Sequence, residues 1–318
     1  MSSPPIVVVG SFVQDLFFDT PSFPRPGQTV IGTFRTGPGG KGSNQAVAAA
    51  RAGGSTAFVG AVGHDAFADG AKEFLTAEGV QHHLTAKPGH ATGTAAILVD
   101  ATGQNQIVVA LGANDAIQPG ELPAALIGGA RFVVSQLEIS LPAALEALRI
   151  GKKGGATTIL NTAPMRADFD PAMLDLTDIL VPNETEFAAL VNMLPRFGRT
   201  DFSDEGLAAL APDALHAMCR RMGPAIVLVT LGARGGFLSL PDRCVTIPAV
   251  AGVKVVDTTG AGDAFVGAFA AALVEFDGDA ERAARFANVA AAISVTRPGT
   301  APAVATRSEI DALLATLI

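Results

Sequence analysis

The most regular feature along the chain is a set of short, nearly unbroken apolar runs. They are IVVVG from Ile6, TAFVG from Thr56, FVVSQL from Phe132, TTIL from Thr157, ILVP from Ile179 and AIVLVT from Ala225. Each has the length of a strand and is apolar on both faces. That suits strands of a parallel sheet covered on both sides. Between and after them lie stretches rich in Ala and Leu, at 43–53, 66–79, 141–153, 184–194, 204–222, 262–275, 279–296 and 307–317. Alternating strands and helices predict a layered α/β fold.

Two regions break this rhythm. Residues 16–37 hold Pro21, Pro24 and Pro26, followed by QTVIGTFRT. Residues 93–111, GTAAILVDATGQNQIVVAL, read as two strands joined by a turn near Gly103. Both are predicted to add strands to one domain spanning 1–318, as a small antiparallel sheet. His82 and His83 lack metal-ligand spacing and are expected on a surface loop.

Composition narrows the function classes. Of 318 residues, 49% are apolar and 16% charged, which favours a large buried core. The net charge of −8 offers no basic face for nucleic acid. The start, MSSPPIVVVGSF, has no basic segment before its apolar run and is not expected to be a signal peptide. The apolar stretch from Ala264 to Val274 is too short to cross a bilayer. The only cysteines, Cys219 and Cys244, have no CxxC spacing and are expected as reduced thiols in the cytoplasm.

The candidate chemistry lies in two glycine clusters. In GPGGKGSNQAVAAARAGG, from Gly37, a cation stands among glycines at a helix start. A Walker A loop would need Gly at the position of Arg35 and Ser or Thr at that of Gly42, so that reading fails. GSFVQD, after the first strand, does not fit a dinucleotide fingerprint either. In VDTTGAGDAFVGAFAAAL, from Val256, the small residues Gly260, Ala261 and Gly262 precede a long apolar helix opened by Asp263. Unpaired N–H groups at such a helix start can approach an anion, with a carboxylate beside it. A tight turn with an ordinary acidic first-turn residue accounts equally well for this segment alone. PNETE, from Pro182, spaces Asn183 and Glu186 as a capping box.

Taken together, the two clusters resemble the paired signature segments of the PfkB carbohydrate kinases, the ribokinase-like superfamily. GSFVQD, VGHDAFADG, TGTAAILVD, LGAND, QLEIS, NTAP, VPNETE, TLGARGG and VTRPGTAPAV follow the family's order over nearly the whole chain. The resemblance implies a three-layer α/β/α sandwich with a small β-sheet lid. It implies ATP-dependent phosphorylation of a sugar primary hydroxyl, ribose first. A 2-deoxyribose, ketohexose or nucleoside kinase is the alternative, and a silent sugar-binding sensor the non-enzyme one.

By the same resemblance, Asp263 is the base and Gly260, Ala261 and Gly262 form the anion hole. Asp15, Gly40, Lys41, Asn44 and Glu138 line the sugar site. Val13 stands where ribose-specific members carry Asn, and neighbouring Gln14 could supply an amide instead. Asn183, Thr230, Gly232, Gly262 and Asn288 are implied for ATP, and Asn183 with Glu186 for Mg²⁺. Asn288 has a plainer reading, an Asn facing water on an Ala-rich helix. Asp257, Thr259, Ser294, Arg297, Gly299 and Ala303 are implied for a K⁺ site built mostly of carbonyls. A homodimer through the lid sheet is the expected assembly.

Overall fold

The computed structural model describes residues 4–317. Among them, thirteen strands form two sheets. In chain order they are β1 (Ile6–Val9), β2 (Val13–Asp19), β3 (Thr33–Gly39), β4 (Thr56–Val62), β5 (Gln81–Ala86), β6 (Gly93–Val99) and β7 (Asn105–Ala110). After them come β8 (Phe132–Ser135), β9 (Thr157–Asn161), β10 (Ile179–Val181), β11 (Ile226–Thr230), β12 (Gly236–Ser239) and β13 (Cys244–Ile247). The main sheet has the order β13-β12-β11-β10-β9-β8-β1-β4-β5. It is parallel from β11 to β5, with β12 and β13 added antiparallel at one edge.

The apolar runs become strands because both faces are covered. Ile6 and Val8 point into one core, where Phe265, Phe269 and Phe286 come from the helices Ala261–Glu275 and Ala280–Ser294. Val7 and Val9 point into the other, against Leu148 and Phe187 from Leu141–Gly154 and Glu184–Met193. Each fully buried Phe or Leu contributes roughly 1.5–3 kcal/mol. The α/β/α sandwich follows from this period-two division of every central strand.

The second sheet has the order β3-β2-β6-β7. Its central pair, β2 and β6, is parallel, while β2–β3 and β6–β7 are antiparallel. The expected purely antiparallel sheet is therefore corrected: two separate hairpins lie side by side, each leaving the main domain in the same direction. The strands also begin earlier and end later than 16–37 suggests, so Val13, Asp15 and Gly39 all belong to this sheet.

Three further expectations are corrected. The stretch 204–222 forms two helices, Asp204–Ala208 and Pro212–Arg220. Pro212 lacks an N–H and holds Ala211 extended (ψ 150°), which separates them. His82 and His83 lie in β5, not in a loop. FVVSQL is strand only as far as Ser135, so Glu138 lies in the turn beyond it.

Candidate active site

All the central strands point their carboxyl ends at one region, the usual ligand crevice of an open α/β sheet. β1 leads into Ser11, β8 into Glu138, β9 ends at Asn161, β10 leads into Asn183, and β11 ends at Thr230. Two helices start there, Lys41–Arg51 and Ala261–Glu275.

The first begins at Gly40, which has φ 92° and lies against β2. A Cβ at Gly40 would stand 2.6 Å from the Val13 nitrogen, so only glycine fits. Glu138 serves this helix start: its Oε2 accepts from the Lys41 N–H at 2.9 Å and from the Ser11 hydroxyl at 2.5 Å. A carboxylate at a helix amino end is favoured by the unpaired N–H groups there. The second helix begins at Gly260, in the left-handed region at φ 74°. Gly262 has no heavy atom within 4 Å of where a Cβ would stand, so open space faces the helix start.

Asp263 is buried at 7% exposure. Asn44 Nδ2 donates to its Oδ2 at 3.1 Å, and Gln45 Nε2 donates to its Oδ1 at 2.9 Å. Gln45 Nε2 also donates to Asn161 Oδ1, and Gln45 Oε1 accepts from Gln136 Nε2 at 2.6 Å. Asn161 Nδ2 donates to the Val181 carbonyl, which fixes the direction of the whole amide chain. Gln45, Gln136 and Asn161 were not singled out in the sequence. Fully polar side chains carry no signal of burial, and the side-chain partners that link them to one another and to Asp263 lie 91 to 218 residues away. Asn44 Oδ1 is buried without a partner.

Lys41, Asn161, Asn183, Glu186, Thr230, Gly260, Gly262 and Asp263 line one cleft of about 180 Å³. Burial works against the Lys41 charge, but Asp263, Glu138, Glu186 and Asp15 outweigh it and raise its pKa above the ordinary lysine value. Asp15 is pushed up to about 7, first by burial and then by the charges of Glu138 and Asp263; Arg35 and Lys41 oppose the shift. Burial also raises Glu186, against the Asn183 N–H, Lys41 and Thr162. The capping box is formed: Asn183 Oδ1 accepts from Glu186 N at 2.8 Å, and Glu186 Oε2 accepts from Asn183 N at 2.9 Å.

Val13 and Asp15 share one face of β2. Val13 packs on Ala95 and Ile97 of β6. Gln14 faces the other way and donates to Thr36 Oγ1 and the Gly37 carbonyl, so it cannot offer Val13's face an amide. Val13, Asp15, Gly40, Asn44, Glu138, Ala261, Gly232 and Asn288 lie outside the cleft lining. Asn288 is half-buried, and its Nδ2 donates to the Pro248 carbonyl at 2.9 Å. Asp257 joins the loop before Gly260 to the segment after Ser294: it accepts from Thr259 N and Gly299 N, both at 2.9 Å. Arg297 is paired with Glu309, and Ala303 N donates to Thr300 O. Among the described residues no group of three or more His, Cys, Asp and Glu could hold a metal ion.

A buried carboxylate and a lysine thus stand together beside an open, glycine-lined helix start, the kind of place that can hold an anion. Residues 4–307 match the model of the pfkB family carbohydrate kinases, and the chain belongs to that family. It is 39% identical to ribokinase of Mus musculus, over 93% of this chain and 90% of that one. It is 35% identical to deoxyribokinase of Salmonella typhi, over 93% and 94%. Its structure matches Arabidopsis thaliana ribokinase complexed with ribose and ATP at a TM-score of 0.87, with 34% identity, covering 99% of each chain. The protein is a carbohydrate kinase.

Proposed function

We propose that the enzyme transfers the γ-phosphoryl group of ATP to the primary hydroxyl of a ribose-type pentose, with ribose the first choice. The observation that carries this reading is the single cleft where Asp263 and Lys41 meet the Gly260–Gly262 helix start and the pair Asn183 and Glu186. Asp263 takes the proton of the attacking hydroxyl. The N–H groups at Gly260, Ala261 and Gly262 stabilise the charge that builds on the transferring group. Asp15, Glu138, Gly40, Lys41 and Asn44 hold the sugar. The unpartnered Asn44 Oδ1 accepts from one of its hydroxyls.

ATP is held by Asn183, Thr230, Gly232 and Gly262, with Asn288 at the outer end. The empty space beyond Gly262 fits a phosphate group, which a side chain there would displace. Asn183 and Glu186 would hold Mg²⁺, which when bound would neutralise phosphate charge. The second sheet acts as a lid that excludes water as a rival acceptor. Exposed Ile107, Val108, Val109 and Phe34 on that sheet support pairing of two copies through it. The unpaired thiols Cys219 and Cys244 support a reducing, cytoplasmic setting.

The test is ADP release with Mg-ATP and a panel of ribose, 2-deoxyribose, ketohexoses and nucleosides. Ribose is expected to give the highest kcat/KM; a nucleoside or ketohexose in first place overturns the substrate reading.

Two further outcomes are expected from this site. Activity should rise when K⁺ is added to an assay free of sodium and potassium. Asp257, Thr259, Ser294, Arg297, Gly299 and Ala303 lie on the two segments that the Asp257 bridge to Gly299 ties together. A flat response up to physiological K⁺ counts against the cation site. Val13→Asn, in turn, should shift preference toward ribose over 2-deoxyribose by about tenfold, because it restores a partner for a buried hydroxyl. The ratio of kcat/KM for the two sugars measures it, and an unchanged ratio removes Val13 from the sugar-reading set.

A further inference from the structure

The LGAND segment at 111–115 has no part in the chemistry described so far, yet Asn114 is fully buried. Its Nδ2 donates to the Phe12 carbonyl at 2.7 Å and to the Leu111 carbonyl at 3.0 Å. Its Oδ1 accepts from the Phe12 N–H at 3.2 Å. Its own carbonyl accepts from the Ser140 N–H at 3.1 Å.

These four bonds join segments that carry different halves of the sugar site. Phe12 lies between Ser11, whose hydroxyl holds Glu138, and β2, which carries Val13 and Asp15. Ser140 lies two residues beyond Glu138. Leu111 is where β7 returns to the main domain. Asp15 belongs to the lid sheet and Glu138 to the main domain, and one ligand must meet both. Their relative placement is decided where the lid joins the main domain, and Asn114 bonds to both sides of that joint. Gly93, at the start of β6, is packed against the same amide: a Cβ there would stand 2.4 Å from Asn114 Nδ2.

A second tie lies one residue before Gly93. Asp65 accepts from the Thr92 N–H at 2.7 Å and the Thr92 hydroxyl at 2.6 Å. That tie touches neither the Phe12 segment nor the Glu138 segment.

We propose that Asn114 is a positioning residue for sugar binding, fixing Asp15 against Glu138 by clamping Phe12 and Ser140 to one side chain and its backbone. The proposal rests on the sugar-kinase reading above. A displacement of about 1 Å in a positioned group can cost on the order of 10²-fold. Asn114→Ala is therefore expected to raise the sugar KM at least about tenfold, with the KM for ATP unchanged within about twofold. Gly93→Ala, which pushes on the amide from the other side, should act in the same direction. Thr92→Val removes this second tie but none of the bonds to Phe12 or Ser140, and should lower Tm while raising the sugar KM far less than Asn114→Ala does.

The native enzyme is assayed first. If it phosphorylates no sugar, the functional reading fails; if it does, the variants decide this inference. A folded Asn114→Ala with native sugar KM overturns it. So do equal rises in the KM values for sugar and ATP, or a Thr92→Val that raises the sugar KM as much. If Asn114→Ala does not fold, Gly93→Ala decides the matter by the same criteria.

Discussion

Asp263→Asn is expected to lower kcat by about 10²–10⁴ while leaving the sandwich intact, the usual cost of removing a general base. The structure adds a second consequence. Both carboxylate oxygens of Asp263 accept from amides, Asn44 on one side and Gln45 on the other. An asparagine in that place has only one acceptor oxygen, which must face Gln45, because Gln45 Nε2 also holds Asn161 and its Oε1 receives Gln136. The new NH₂ then faces Asn44, whose Oδ1 is buried without a partner and accepts from it once that amide turns over. The variant should therefore keep its stability within about 1 kcal/mol of the native protein. Single-turnover and steady-state assays on the purified variant check the first effect, and thermal unfolding the second. A near-native kcat would remove Asp263 from the role of base.

How much of this was legible beforehand depends on the physical nature of each signal. The central strands β1, β4, β8, β9, β10 and β11 were readable because burial on both faces leaves an unbroken apolar run. β5 was not: at the sheet edge it carries Gln81, His82 and His83, and only a neighbour about 25 residues earlier, β4, makes it a strand. β12 and β13 are short, four residues each, and their pairing is fixed by contact with β11 rather than by local pattern.

In the site, the glycine clusters were readable because a helix start that must accept a close neighbour excludes side chains, as at Gly40. The amide chain from Gln136 through Gln45 to Asp263 was not readable. Nothing in a glutamine's neighbourhood along the chain tells whether it faces water or a buried carboxylate. The joint of the second sheet with the main domain was hidden for the same reason, since Asn114 and Phe12 are 102 residues apart. Motif order brought these segments to notice, but only the hydrogen-bond pattern shows what Asn114 holds.

Asp15→Asn is expected to make the sugar-free protein more stable above pH 7 and to cost most of its sugar affinity. Burial, with Glu138 and Asp263 nearby, raises the Asp15 carboxyl from 3.8 to about 7. A folded pKa above the unfolded one means the native state keeps a proton that the unfolded chain has lost. The stability this confers is fully present below about pH 4, falls as pH rises through the window up to about 7, and is lost beyond it. Raising the carboxyl from 3.8 to about 7 corresponds to roughly 4 kcal/mol. Asparagine has no such slope, so Tm at pH 8 should rise by a few degrees over the native protein, while at pH 4 the two should converge. The same carboxylate, ionised, can accept two hydroxyl hydrogens of a vicinal diol. Losing charged acceptors costs about 1.5–3 kcal/mol per bond, so the sugar KM should rise at least about tenfold, and nearer 10²-fold if both bonds are lost. Thermal unfolding at the two pH values and sugar KM at pH 8 measure the two effects on one variant. A Tm gain without a KM change would make Asp15 a buried charge that does not touch sugar. A KM change without the Tm gain would mean that Glu138, Asp263 and burial do not strain it, and that its neighbours satisfy the carboxylate before any sugar arrives.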